Sequence, residues 1–288
     1  MASPSPIKLE YRGRLAILTI DNEKKLNALD QSGYYDLAQK MREIATHDEV
    51  YITLLIGKGR YFSAGADVTA ARPSAAQLAA QSSPSTNTTT TATSPHRYWL
   101  QSFVALNLNI TQAFYTHPKI LVVGLNGPAV GLSAALVAMA DFVYARPTAF
   151  LLTPFSSLGL VAEGGASRAL VRRLGVARAN EALLMSRPIG CAELVAAGFV
   201  NKVFDECAAD GEDGKFRELV LREIDERLGE HLNGESLLGI KRLLRQPERD
   251  VMDLQNVAEV FAGLERFVSG VPQEEFAKIA SGKKRHKL

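Results

Sequence analysis

Asn126-Gly127-Pro128-Ala129-Val130-Gly131-Leu132-Ser133-Ala134-Ala135-Leu136 is the stretch whose reading decides the fold. It follows Ile120-Leu121-Val122-Val123, an apolar run that reads as a buried strand. Small residues then turn the chain, and the apolar segment after Gly131 reads as a buried helix. A strand, a glycine-containing turn and a helix leave backbone N–H groups unpaired at the helix start. Such groups hold an anion, or the negative oxygen that develops during a reaction.

Working outward, strands alternate with helices. Ile7 to Tyr11 and Arg14 to Ile20 read as a hairpin with Gly13 at its turn. A helix is expected from about Asp30 to Thr46, with Asp30 as N-cap and Tyr34, Leu37, Met41 and Ile44 at helical spacing. Tyr51 to Ile56 reads as a strand, followed by Tyr61-Phe62-Ser63-Ala64-Gly65-Ala66-Asp67. From about Thr69 to Ser94, Ala, Ser, Thr, Pro and Gln dominate. That composition predicts a mobile surface loop or short helix, read either as part of a pocket wall or as a tolerated insertion.

Trp99 to Tyr115 has helical periodicity. Phe142 to Ala145, Ala149 to Leu152 and Val200 to Val203 read as further strands. A helix starts at the Gly164-Gly165 pair, another is read over Arg178 to Met185, and Cys191 to Ala197 forms a short one ended by Gly198. The remainder, from about Phe216, is helical. The pattern predicts an α/β core over residues 1–205 and a C-terminal helical region over 206–288.

Composition excludes several classes. A hydrophobic content of 47% and a charged content of 22% are those of an ordinary soluble globular protein. A formal net charge of +2, with scattered basic residues, gives no footprint for nucleic acid. Cys191 and Cys207 are too few for a disulfide framework or a cysteine metal site. Five scattered histidines form no ligand pair, so no metal is expected. No apolar run approaches the ~20 residues that span a bilayer. Met1-Ala2-Ser3-Pro4-Ser5-Pro6 resembles neither a secretory signal nor a transit peptide. The Asn87 and Asn109 glycosylation patterns are read as coincidental for that reason. The last three residues, His286-Lys287-Leu288, are an imperfect match to the small-or-polar, basic, leucine type of peroxisomal address.

Several motifs together resemble those of the crotonase (enoyl-CoA hydratase/isomerase) superfamily. They are Lys25-Leu26-Asn27-Ala28-Leu29, Phe62-Ser63-Ala64-Gly65-Ala66-Asp67, the opening stretch, Ala140-Asp141-Phe142-Val143-Tyr144-Ala145, Leu158-Gly159-Leu160 with Gly164-Gly165, and Ala197-Gly198-Phe199-Val200. They stand in the family's order and cover about residues 7 to 205. The resemblance implies a spiral of ββα units with a C-terminal helical trimerisation region, assembled as a homotrimer or a hexamer. It implies an acyl-CoA substrate whose thioester oxygen is held by the backbone N–H groups of Ala66 and Leu132. Ala64, Gly65, Asp67, Val68 and Gly131 are then substrate-binding loop residues, with Asp67 ordering the loop. Asp141 is read as a cap for local backbone.

The chemistry agrees with that resemblance. Removing a proton beside a thioester carbonyl makes an enolate, and each preorganised donor aimed at its oxygen contributes about 3–4 kcal/mol. Hydratases of the family use two glutamates to activate water, at positions held here by Ala135 and Phe155. Glu163, before the glycine pair, resembles instead the single glutamate of the family's isomerases. Its expected role is to take a proton from C2 of a 3-enoyl-CoA and return it at C4. Partial burial raises such a carboxyl's pKa, while the helix N-terminus pulls it down.

Fungal peroxisomal isomerases resemble the chain further in Phe103-Val104-Ala105 followed by Asn107, and in a basic tail ending in leucine. Asn107 either orients Glu163 or is an ordinary helix residue. Lys24, Lys25 and the Lys283–Lys287 tail either meet the phosphates of CoA or form solvated surface. The implied activity is a Δ3-Δ2-enoyl-CoA isomerase of β-oxidation, imported by the peroxisomal receptor, with no cofactor beyond the CoA of its substrate. A dienoyl-CoA isomerase, which is expected to carry a second acid, or another crotonase paralogue is the alternative. A crotonase-fold binding protein is a third, which Glu163 and the near-neutral charge count against.

Overall fold

The computed structural model describes residues 5–70, 72–73, 77–78, 94–208, 211 and 213–286. Most of the Thr69–Ser94 segment and the last two residues of the tail lie outside them.

β1 (Ile7–Arg12) and β2 (Leu15–Ile20) form the expected hairpin, with Ile7 opposite Ile20 and Gly13 turning at φ 55°. α1 (Gln31–Ala45) follows, its first turn capped by Asp30, whose carboxylate accepts the Gly33 N–H at 2.8 Å. β3 (Ile52–Gly57) comes next. α2 (Pro95–Trp99) runs through a π-helical turn, Leu100–Val104, into α3 (Ala105–Tyr115). β4 (Ile120–Leu125), the two-residue β5 (Ala129–Val130), α4 (Leu132–Val137), β6 (Phe142–Ala145) and β7 (Phe150–Leu152) follow. α5 (Ala166–Leu184) is two helices joined across a kink at Gly175. β8 (Ile189–Gly190), α6 (Cys191–Ala196) and β9 (Lys202–Val203) complete the alternating part. Four helices close the chain: α7 (Asp213–Leu228), α8 (Gly234–Arg245), α9 (Arg249–Ser269) and α10 (Val271–Ala280).

The main sheet has the order β1-β2-β3-β4-β6-β9 and is parallel from β2 onward. β5, β7 and β8 make a second, smaller sheet. Strands covered on both faces read as continuous apolar runs, as Ile120–Leu125 does. Their side chains alternate between two clusters. Leu55, Leu121, Val123 and Leu125 face α1 and α4, whereas Leu54, Ile56, Ile120 and Val122 face Phe216, Val220 and Ile224 of α7. The C-terminal region therefore supplies one of the sheet's two covers.

Asp141 does more than cap backbone. It accepts the Leu121 N–H at 2.8 Å and pairs with Lys241 and Arg245 of α8 at 2.6 and 2.5 Å. This buried cluster ties α8 to the start of β4. A third apolar cluster joins Trp99, Phe103 and Val104 to Val260, Leu264 and Phe267 of α9. It forms one wall of the site described next. No helix among the described residues is long and apolar enough to cross a membrane.

Candidate active site

Two loops meet at the C-terminal ends of β3 and β4. Phe62 and Ser63 donate their N–H groups to Pro128 O, and Val130 returns one to Ser63 O at 2.9 Å. The loops approach too closely for side chains between them. A Cβ on Gly65, where φ is 83°, would lie 2.6 Å from Val130 O. The approach is fixed by polar side chains. Ser63 Oγ donates to Asn27 O at 2.8 Å, so Ser133 donates to Ser63 at 2.9 Å. Ser133 has then spent its proton, and Tyr34 must donate to it at 3.1 Å. Ser63 and Ser133 thus tie the loop of Ala66 to the helix of Leu132.

Ala66 sits beside Leu29 in a one-residue parallel bridge. Leu29 bonds to Gly65 O and to the Asp67 N–H, both at 2.9 Å. Successive amides in extended chain point to opposite edges, so the Ala66 N–H points away from Leu29. Leu132 is the first residue of α4, where an N–H has no partner within the helix. Neither N–H meets an acceptor among the described residues. Both residues line one cavity of about 440 Å³, together with Asn107 and Glu163.

Glu163 lies in the turn that leads into α5. Asn107 Nδ2 donates to its Oε2 at 2.9 Å. Burial pushes the Glu163 carboxyl up to about 7; Asn107 opposes that, the charge of Glu259 adds to it, and Arg72 opposes it. The expected pull of the helix N-terminus is diverted. The Gly165 and Ser167 N–H groups go to Glu259, not to Glu163. Ala135 and Phe155, the two hydratase positions, are buried in the core. A Cβ on Gly164 would sit 2.9 Å from that of Ala135, so the backbone beside Glu163 already occupies this space.

The structure thus brings Ala66, Leu132, Asn107 and Glu163 to one cavity, and holds the other expected residues behind it. Asp67 accepts the Thr69 N–H and hydroxyl at 2.8 and 2.7 Å and pairs with Lys25 at 2.6 Å. It orders the loop, and Lys25 spends its charge there. Ala64 donates its N–H to Leu26 O, and Gly131 donates its own to Leu152 O. Val68 is half-buried beyond the loop, and Lys24 is exposed in a short turn.

The far wall was not anticipated as a site. Trp99 stacks on Phe267 with ring centres 4.5 Å apart, and Phe103 lies equally close to Phe267. The Arg72 guanidinium lies 4.0 Å over Phe276 of α10 and donates to Asp67 O and Ala70 O. Helical spacing marked Trp99 and Phe103, but nothing local marks their meeting with α9. Among the described residues, no His, Cys, Asp and Glu cluster could hold a metal.

A protein-family model described as enoyl-CoA hydratase/isomerase matches residues 101–212. A Delta(3,5)-Delta(2,4)-dienoyl-CoA isomerase of Pyricularia oryzae is 66% identical, over 97% of this chain and 98% of that one. This chain belongs to the enoyl-CoA hydratase/isomerase family. A 3,2-trans-enoyl-CoA isomerase of Saccharomyces cerevisiae is 34% identical over 98% of this chain and 97% of its own. The fold matches that of an enoyl-CoA hydratase/isomerase crystal structure from Pseudoalteromonas atlantica, with a TM-score of 0.76 at 24% identity over 99% and 100% of the two chains. Within the family the chain is an isomerase: both full-length relatives are isomerases, and Ala135 and Phe155 fill the positions where a hydratase is expected to carry its glutamates.

Proposed function

We propose that the chain moves the double bond of a 3-enoyl-CoA to the trans-2 position, with Glu163 as the single proton carrier. The thioester oxygen sits between the Ala66 and Leu132 N–H groups. Glu163, as a carboxylate, removes a proton from C2, and the electrons move onto the thioester oxygen as a dienolate. Glu163, now a carboxylic acid, returns the proton at C4, and the double bond closes between C2 and C3. The enzyme ends as it began, and CoA enters only as part of the substrate.

One observation carries this reading. A single catalytic-depth carboxylate, with its pKa pushed up to about 7, shares a cavity with two unpaired N–H groups. A base that both takes and returns a proton works best with a pKa near the working pH. The cavity's other carboxylate, Asp30, is engaged as the cap of α1. Trp99, Phe103, Phe267 and Phe276 offer an apolar wall for the acyl chain.

A second reading is favoured by the relative at 66% identity. With a 3,5-dienoyl-CoA the first step is unchanged, and the proton returns at C6. Asp30, which also lines the cavity, would have to assist there while still capping α1. Wild type and Glu163→Gln, assayed on 3-hexenoyl-CoA and on a 3,5-dienoyl-CoA, separate the readings. The substitution is expected to lower kcat on the 3-enoyl substrate by roughly 10²–10⁴-fold with acyl-CoA binding retained. Near-normal turnover by the variant rejects Glu163 as the base. A higher kcat/KM on the dienoyl substrate moves the assignment to the second reading.

Assembly and address belong to the same proposal. Leu243, Leu244, Val251, Leu254 and Phe261 of α8 and α9 are exposed, an apolar face suited to a homotrimer or hexamer. The tail ending in His286-Lys287-Leu288 suits a peroxisomal import receptor.

A further inference from the structure

Glu259 of α9 is buried, with 5% of its surface exposed, and is distant from the catalytic turn in sequence. Its Oε2 accepts the Gly165 N–H at 2.6 Å. Its Oε1 accepts the Ser167 N–H at 2.8 Å and the Ser167 hydroxyl as well. Gln255 Nε2 donates to Ser167 Oγ at 2.9 Å, which directs the hydroxyl proton toward Glu259. Both carboxylate oxygens face donors, the pattern of an ionised group; burial pushes the Glu259 pKa up, and the bonds from Ser167 and Gly165 oppose that push. A buried charge without partners would cost several kcal/mol, and these donors offset that cost.

The position of these donors gives the contact its meaning. Gly165 and Ser167 open α5 directly after Glu163. First-turn N–H groups are the natural donors for a carboxylate at a helix start, and they would hold it ionised. Glu259 takes them instead. Glu163 keeps one side-chain donor, Asn107 of α3. The other charged or titratable groups around it are Arg72 beyond the oxyanion loop, Tyr34 of α1 and Glu259 itself.

We propose that Glu259 is a positioning residue for the proton transfer: it occupies the first-turn N–H groups of α5 and places a negative charge behind Glu163, so that Glu163 meets the substrate as a carboxylate able to give its proton back. The proposal rests on the reading of Glu163 as the base. It assigns the C-terminal helical region, through α9, a part in the chemistry. Burial is the chief cause of the raised Glu163 pKa, and Glu259 adds to it. Neutralising Glu259 therefore lowers the Glu163 pKa, and freed N–H groups lower it further.

The test uses the full-length protein. Glu259→Gln keeps the shape and removes the charge. The ascending limb of its kcat/KM–pH profile on 3-hexenoyl-CoA is expected to move down by roughly half a pH unit or more, with a fall in kcat. The Glu163 carboxyl, followed by ¹³C NMR and assigned by its loss in Glu163→Gln, should titrate lower by the same amount. Glu259→Asp keeps the charge but draws back from Gly165, so its kcat should fall while its midpoint moves down less than in Glu259→Gln. A Glu163 titration unmoved by Glu259→Gln overturns the proposal, as does a midpoint that falls equally in the Asp variant. Should Glu259→Gln not fold, the Asp variant decides alone, and wild-type kcat in it rejects the positioning role. The NMR titration needs no turnover, so it stands apart from the question of whether Glu163 is the base.

Discussion

The two ends of the cavity are built from different materials. The end proposed to hold the oxyanion is backbone. Ala66 and Leu132 contribute only N–H groups, and their loops are set by main-chain bonds such as Val130 N–H to Ser63 O. The end proposed to carry the proton is side chains. Glu163, Asn107, Arg72 and Glu259 come from four separate segments, and burial together with these neighbours sets the Glu163 pKa. A backbone end is defined by where the chain can go. A side-chain end is defined by what surrounds a carboxylate. The first should fail through shape, and the second through charge.

Gly65→Ala attacks shape and carries the largest expected effect of the variants that compare the ends. The residue has φ 83°, and the new Cβ would lie 2.6 Å from Val130 O. The loop must move, and the Ala66 N–H moves with it. Losing one such donor costs roughly 10²–10³-fold in kcat. The pH midpoint of the reaction should not change, because Glu163 keeps its neighbours. A steady-state profile from pH 5 to 9 checks both quantities. A shifted midpoint would mean that the two ends are not separable.

Asn107→Ala attacks charge. The amide donates to the ionised form of Glu163 at 2.9 Å and so holds its pKa down. Removing it leaves burial and Glu259 less opposed, and the pKa rises above about 7. The base must be ionised to act, so the ascending limb moves to higher pH. Activity at pH 6 should therefore fall more than activity at pH 9, where a loss of about tenfold reflects poorer orientation alone. Equal losses at both pH values would make Asn107 a matter of shape and blur the distinction.

The same distinction explains what was legible in the sequence. Glycine and small residues at 62–67 and 126–132 are visible locally, because a close backbone approach restricts which residues fit. The alternating strands and helices showed for the same reason: apolar period and turn chemistry act over short spans. Glu163 was visible beside its glycine pair, and the hydratase positions were visible as Ala135 and Phe155. Glu259 was not. It reads as one more charged residue of an amphipathic helix, and its partners lie more than ninety positions earlier. Arg72 was missed because it sits in a segment whose composition predicts only a mobile loop or short helix, and its partner Phe276 belongs to the last helix. Asp141 was read as a backbone cap because its cations, Lys241 and Arg245, arrive from α8. Long-range side-chain meetings depend on helix packing, which no local pattern encodes.

Tyr34 lies where the two ends meet, and its loss should have the smallest effect. It lines the cavity near Glu163, yet its hydroxyl proton is committed to Ser133. Burial and the nearby Glu163 charge push its own pKa well up, so it stays neutral and cannot act as a base. Its hydroxyl is the first donor in the chain that runs through Ser133 and Ser63 to Asn27 O. Tyr34→Phe leaves that chain intact from Ser133 onward and removes the one hydrogen bond that Tyr34 donates to Ser133, a cost of about 1 kcal/mol in stability. The melting temperature should drop by a few degrees, kcat should stay within about threefold of wild type, and the pH midpoint should hold. A loss of 10²-fold or more in kcat, with the fold intact, would show that Tyr34 touches the reacting atoms. The oxyanion end would then depend on a side chain after all, and the division between backbone and side-chain ends would no longer describe this site.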